Sequence, residues 1–363
     1  MLNIKVILRI LFMFFLLLII IELFLSLICT FPNDYYVGTP NSKFIWPVAQ
    51  SNLNGIERDA VVEFDKYGTR SSSAKENKTQ LLIFGGSTAV CSALSQEDTW
   101  SYKLEKKLGN PYWVGNVGRD GINSYHHVLQ ARHLLEKEDF KDVKYAVFFM
   151  GINDLNGYIG SPDTFLKQAE DIKKLYQISF GHLPNKKLVF YRRLTTFKVL
   201  QKIKRRKFKT LDPLKIAFLF KEQFRKRKEA NKIEVLPNLA PGLNSFKTNI
   251  YKLISLCKKN GVEPIFVQQT SLWSEEESKE NEEFIISGPI RYTQDYFSMS
   301  ALSRGLDHYN KVLKETCNEN NILLIPLTIP KSTKYYYDDI HYNKYGTELV
   351  SDSIYNHFKQ NSI

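Results

Sequence analysis

Gln80-Leu81-Leu82-Ile83-Phe84-Gly85-Gly86-Ser87-Thr88 reads as a buried strand that runs straight into a tight turn. Its apolar run has strand length and no polar alternation, as expected where both faces of a parallel sheet are covered. Two glycines then remove the Cβ crowding of a sharp turn, and a serine follows where its hydroxyl can stand clear of the sheet. Alone, Gly-Gly-Ser-Thr is an ordinary strand-to-helix junction. Three further stretches give it a context: the loop 116–121, Gly151-Ile152-Asn153-Asp154, and Asp338-Asp339-Ile340-His341.

Working outward, strand and helix patterns alternate. Spacing predicts helices over 95–108, 125–135, 165–176, 244–259, 306–318 and 345–358. Between them lie strand-like runs at 112–117, 144–150, 263–269 and 321–327. Such alternation implies an α/β domain, with a mostly parallel sheet and helices on both faces. Ligands of these sheets bind beyond the carboxyl ends of the strands, where Ser87, Asn153 and the segment 338–341 all fall. Upstream, residues 31–79 read as an irregular lead-in with turn signals, short extended pieces near 61–64 that can pair, and a polar linker at 71–77.

The chemistry follows from residue types. A serine hydroxyl is a poor nucleophile until a histidine takes its proton, and that histidine needs a carboxylate to hold its tautomer. His341 is the candidate base. Asp338, three residues earlier, can turn back against its other ring nitrogen, with Asp339 as the neighbouring rival. Acyl transfer also needs donors where charge develops on oxygen, and the Ser87 N–H, the Gly121 N–H and the Asn153 amide can supply three. His126, His127, His133, His182, His308 and His357 are read as structural or surface residues. Cys91, Cys257 and Cys317 are read as small buried side chains. No Cys/His set has metal-ligand spacing, so no metal and no cofactor are expected.

In this order and spacing the four blocks resemble the SGNH hydrolase superfamily, the GDSL-type esterases and lipases. The resemblance covers residues 80–170 and 244–358. It implies a flavodoxin-like three-layer α/β/α sandwich and ester hydrolysis through an acyl-serine. Ser87, Asp338 and His341 would be catalytic; Ser87, Gly121 and Asn153 would form the oxyanion hole. Membrane-anchored proteins of this kind often act on O-acetyl groups of cell-surface polysaccharide, which makes a small acyl ester of a sugar the first expectation. A lipid ester, transfer of the acyl group to a sugar, and a non-catalytic envelope scaffold or polysaccharide-binding protein are the alternatives. Gly86 departs from the pattern, standing where the name-giving motif has aspartate.

Two regions lie outside the resemblance. Residues 10–29 are twenty residues whose only charge is Glu22, long enough as a helix to cross a bilayer. Lys5 and Arg9 precede this run, which predicts an anchor over 1–30, the N-terminus inside and the remaining chain outside. The anchor leaves about 330 residues, enough for one hydrolase domain over 80–358 with an insertion.

That insertion, about 180–235, is basic and aromatic. Residues 186–232 hold eighteen Lys/Arg and three acidic residues, a formal +15 against +12 for the whole chain, so the remainder is slightly acidic. Phe190, Leu194, Phe197, Leu200 and Ile203 fall at helical spacing among the charges, and 214–224 is apolar and aromatic. Two readings tie, helices lying on an anionic membrane surface or a helical cap whose charges are solvated, and contact with an anionic polymer is the third. Nucleic acid is not an expected partner outside the cell. The membrane and a glycan or lipid ester are.

Overall fold

The computed structural model describes residues 4–71, 76, 78–208, 212–276 and 279–363. The chain forms two units, one of Met1–Tyr35 with His182–Thr210, the other of Tyr36–Gly181 with Leu211–Ile363.

The first unit opens with the helix Ile4–Ile28 (α1), whose length and apolar composition, with a mean hydropathy of 3.0 over an 18-residue window, suit a membrane crossing and none of which is buried. The larger unit contributes the antiparallel pair Ser42–Trp46 (β1) and Ala60–Phe64 (β2). The sequence reading leaves this lead-in irregular apart from short pairing pieces. In the structure its last part reaches the core, where Arg70 is buried under the serine turn.

Thr79–Gly85 (β3) leads into Ser87–Val90 (α2), then Trp100–Leu108 (α3), Tyr112–Asn116 (β4) and Ser124–Leu134 (α4). Val143–Phe149 (β5) is followed by Ile152–Gly160 (α5), Pro162–Lys167 (α6) and Ile172–Ser179 (α7). The single helix expected over 165–176 is therefore two. Asp171 caps the second by accepting from Lys174 N–H at 3.0 Å, and a side chain that caps a new start ends the old helix.

Phe190–Arg193 (α8) and Thr195–Phe208 (α9) belong to the first unit, whereas Pro213–Glu229 (α10) belongs to the larger one. Lys232–Ile233 (β6), Ala240–Lys259 (α11), Glu263–Val267 (β7), Lys279–Glu282 (α12), Tyr296–Phe297 (β8), Met299–Glu319 (α13), Leu323–Ile325 (β9) and Lys344–Gln360 (α14) complete the chain.

The main sheet has five parallel strands in the order β4-β3-β5-β7-β9. Counting only these strands, the order is 2-1-3-4-5, and it reverses beside β3, between its crossovers to β4 and β5. Helices α3 and α14 pack together as one layer, and α4, α7, α11 and α13 pack as another. With the strands buried between them, the unit is an α/β/α sandwich. Phe84, Phe148 and Phe266 stack across β3, β5 and β7 with centroids 5.0 and 5.1 Å apart. Each such contact adds about 0.5–1.5 kcal/mol beyond area burial and holds the strand ends in register.

Candidate active site

Ser87 is the first residue of α2, at the carboxyl end of β3. The turn is packed from below. Arg70 donates to the carbonyls of Val90, Cys91 and Leu94, and Trp100 Nε1 donates to the Thr88 carbonyl at 3.0 Å. Burial pushes the Arg70 guanidinium down to about 10, still charged at neutral pH. Gly86 leaves room for the asparagine: a Cβ there would fall 2.2 Å from Asn153 Nδ2 as that side chain now stands.

Thr333–Tyr335 forms a short 3₁₀ turn, after which the chain doubles back before α14. Tyr336 and Tyr342 pair antiparallel, and Tyr337 N–H donates to the His341 carbonyl at 3.0 Å. Asn343 locks the exit: its carboxamide oxygen caps α14 through Tyr345 N–H and Gly346 N–H, while Nδ2 donates to Lys334 O at 3.0 Å. Inside this loop Asp338 accepts Ile340 N–H at 3.0 Å and His341 N–H at 2.8 Å on Oδ1. Its Oδ2 accepts His341 Nδ1–H at 2.6 Å. Across the site, Ser87 Oγ lies 2.7 Å from His341 Nε2. Three residues chosen from the sequence form one hydrogen-bonded line.

Burial, the largest single influence, pulls the His341 pKa down, while the charge of Asp338 and its hydrogen bond pull it up. Asp120 and Asp339 add to the upward pull, and the net value lies above that of an ordinary histidine. A basic imidazole held in one tautomer can take the serine proton as its oxygen attacks.

Asp339, the rival carboxylate, faces away from the ring. Its Oδ2 accepts Trp273 Nε1–H at 2.7 Å and Ser287 N–H at 3.2 Å, while Oδ1 has no hydrogen-bond partner. Burial first, then the charge of Asp338, pushes it up to about 6.

Asn153 sits in the first turn of α5, and its Nδ2 donates to Ile122 O at 2.7 Å. An amide nitrogen carries two hydrogens, so one remains for a second acceptor. Gly121, beside Ile122, has φ +72° and open space where a Cβ would stand. The loop that carries it runs along the end of β3, with Val117 N–H on Ile83 O and Arg119 N–H on Gly85 O.

Several supporting residues escape sequence reading. Gln269 takes Ile152 N–H at 2.8 Å and gives Nε2–H to Thr88 Oγ1 at 2.7 Å, joining the neighbours of Asn153 and Ser87. Its place just beyond β7 was the one available signal. Tyr337 lies flat on the imidazole, 5.2 Å between centroids and 4° between planes. Asp120 accepts Ser92 Oγ–H at 2.8 Å.

The remaining candidates are occupied elsewhere. Burial drives His126 and His127 down to about 4 and about 3, leaving both neutral. It raises the Cys91, Cys257 and Cys317 thiols to about 12. Among the described residues, no group of three or more His, Cys, Asp or Glu is placed to hold a metal ion.

No family model and no curated protein matches the chain. Solved structures do resemble its fold. A lipolytic protein of the G-D-S-L family from Veillonella parvula is 13% identical over 78% of this chain and 99% of its own, with a TM-score of 0.41. A psychrotrophic esterase from Pseudoalteromonas sp. is 12% identical over 78% and 98%, at 0.40. An acetylxylan esterase from Geobacillus stearothermophilus is 12% identical over 77% and 95%, also at 0.40. Likenesses this distant assign no residue and no substrate.

Proposed function

We propose that this chain is a serine hydrolase that cleaves esters through an acyl-enzyme, with Ser87 as nucleophile, His341 as base and Asp338 as its orienting carboxylate. The observation that carries the proposal is the unbroken line from Ser87 Oγ to His341 to Asp338, at 2.7 and 2.6 Å. His341 Nε2 takes the serine proton as Oγ bonds to the ester carbonyl carbon. The oxyanion that forms is held by the Ser87 N–H, the Gly121 N–H and the free hydrogen of the Asn153 amide. Collapse breaks the bond to the alcohol, which leaves with the proton from Nε2. Water then attacks the acyl-serine with His341 again as base, and the acid departs as Ser87 regains its proton.

The substrate we favour is a small acyl group, first of all acetyl, on cell-surface carbohydrate. The motif resemblance in an anchored chain supports this, with α1 in the membrane, the N-terminus inside and the hydrolase domain outside. The alternative is a lipid ester, favoured by the apolar side chains exposed on α9 and α10 and by the lysines and arginine exposed on α10. Turnover of acetylated oligosaccharides against a series of acyl-glycerols separates the two. Release of acetate with little activity on chains beyond butyryl supports the carbohydrate reading, and rates that climb with acyl length overturn it. Acyl transfer in place of hydrolysis would show as acetylated product when an acceptor sugar is added.

A further inference from the structure

Residues 182–208 hold ten lysines and arginines and no carboxylate. Within their own unit they find one on α1. Glu22, the only charge in residues 10–29, takes Thr195 N–H on Oε1 at 2.6 Å. Its Oε2 takes Thr196 N–H at 2.8 Å and the Thr196 hydroxyl at 2.7 Å. Thr195 and Thr196 open α9. One helix therefore caps another: the carboxylate satisfies two amides that have no intrahelical acceptor and sits at the positive end of the α9 dipole. One turn on, the Ser26 and Thr195 hydroxyls meet at 3.0 Å.

Placement follows from this cap. Glu22 lies six residues before the end of α1, roughly 9 Å at the helical rise, so α9 begins close to where the apolar helix stops. A carboxylate inside an apolar span is costly unless paired, and here the pairing partner is the basic helix itself. The unit then leaves large apolar side chains outward beside its cations: Phe190 is 76% exposed and Leu200 60%, with Val189, Tyr191 and Ile203 also exposed. α8 packs on α9 and α9 packs on α1, whose own apolar length is bare.

We infer that α1, α8 and α9 act as one lipid-binding unit, in which the Glu22 cap holds α9 on the bilayer so that its cations engage anionic headgroups. The occupant is an anionic lipid surface, matched by positive charge with no acidic residue interspersed, and by apolar side chains able to enter the acyl boundary. The inference is independent of the hydrolase reading.

The test uses the full chain in nanodiscs, with a fluorophore on Leu200→Cys in a Cys29→Ser background. One set of discs is phosphatidylcholine alone, the other an equal mixture with phosphatidylglycerol, both carrying lipids with a nitroxide just below the headgroup. The expected result is quenching about threefold greater with phosphatidylglycerol, reduced by high salt and lost in Glu22→Ala. Glu22→Gln, which keeps one acceptor oxygen, should fall between, and circular dichroism checks that each variant is folded. Equal quenching in the two lipids, or quenching that Glu22→Ala and Glu22→Gln leave unchanged, overturns the inference.

Discussion

The loop 338–343 and the basic segment 186–232 are both dense in polar groups, and they use them in opposite ways. In the loop, both Asp338 oxygens and both ring nitrogens of His341 have assigned partners at 2.6 to 3.0 Å. Along the basic segment many charges face water, and a few buried or capping contacts settle where its helices belong. Glu22 ties α9 to α1. On α10, Arg227 is buried with Nη1 on the carbonyls of Ser287 and Phe297, and Ile216 is buried too. Two helices of similar composition thus belong to different units. Charge density sets the kind of surface a segment prefers; satisfied hydrogen bonds set its position.

The largest effect should come from breaking the loop side of this contrast. Ser87→Ala and His341→Ala should each abolish nearly all turnover, and the double variant should lose little more, because the groups act as one unit. Additive losses would mean they do not. Next, Asp338→Asn should lower kcat about 10³- to 10⁴-fold by releasing the histidine tautomer. Asp339→Asn, one residue along, should stay within about tenfold, because an amide oxygen can still accept from Trp273 and Ser287. Equal losses at both positions would show that orientation of His341 is not what Asp338 supplies. Asn153→Ala should cost roughly 10²- to 10³-fold in kcat with KM little changed.

A smaller effect concerns pH. His341 must be neutral to accept the serine proton, so kcat/KM should fall about tenfold per unit on the acid side of its pKa. With that pKa raised, the inflection should lie above the ordinary histidine value of 6.5. The stability sign is opposite: the raised folded-state pKa stabilises the fold fully below the unfolded value, and this contribution is lost as pH rises through the folded value. A pH-rate inflection below 6 would contradict the geometry around Asp338.

The smallest effects compare positions within α10. Arg227→Met should destabilise the larger unit by about 1–3 kcal/mol in chemical denaturation, since two buried carbonyls lose their donor. Arg225→Met, whose partners Glu222 and Glu229 lie on the same exposed helix face, should cost under about 1 kcal/mol. Matching losses would erase the distinction between buried and solvated charge.

Much of the site was readable because its residues stand where periodicity breaks. Ser87 follows an apolar strand, Asn153 follows another, and the Asp338–His341 offset is short enough to act through local chain geometry. Asp338 could be preferred over Asp339 for that reason, and the loop turns back as the three-residue offset requires. The α6–α7 break was missed because apolar spacing continues across it, while the Asp171 cap is a single-residue signal. What the sequence could not convey is where the basic helices dock. The deciding bonds join Glu22 to Thr195, 173 residues away, and Arg227 to Ser287, 60 away. No local pattern records such pairs. Gln269 and Tyr337 were hidden likewise, since each acts only once distant elements have packed.

The most direct test of the central claim is covalent labelling of the detergent-solubilised full chain with a fluorophosphonate, read by intact mass and peptide mapping. A nucleophile activated by His341 should take one adduct, located on Ser87, at a rate that follows His341 deprotonation. Ser87→Ala should take none, and His341→Ala should react orders of magnitude more slowly. Absence of any adduct, or an adduct elsewhere while Ser87→Ala still turns over ester, would contradict the account.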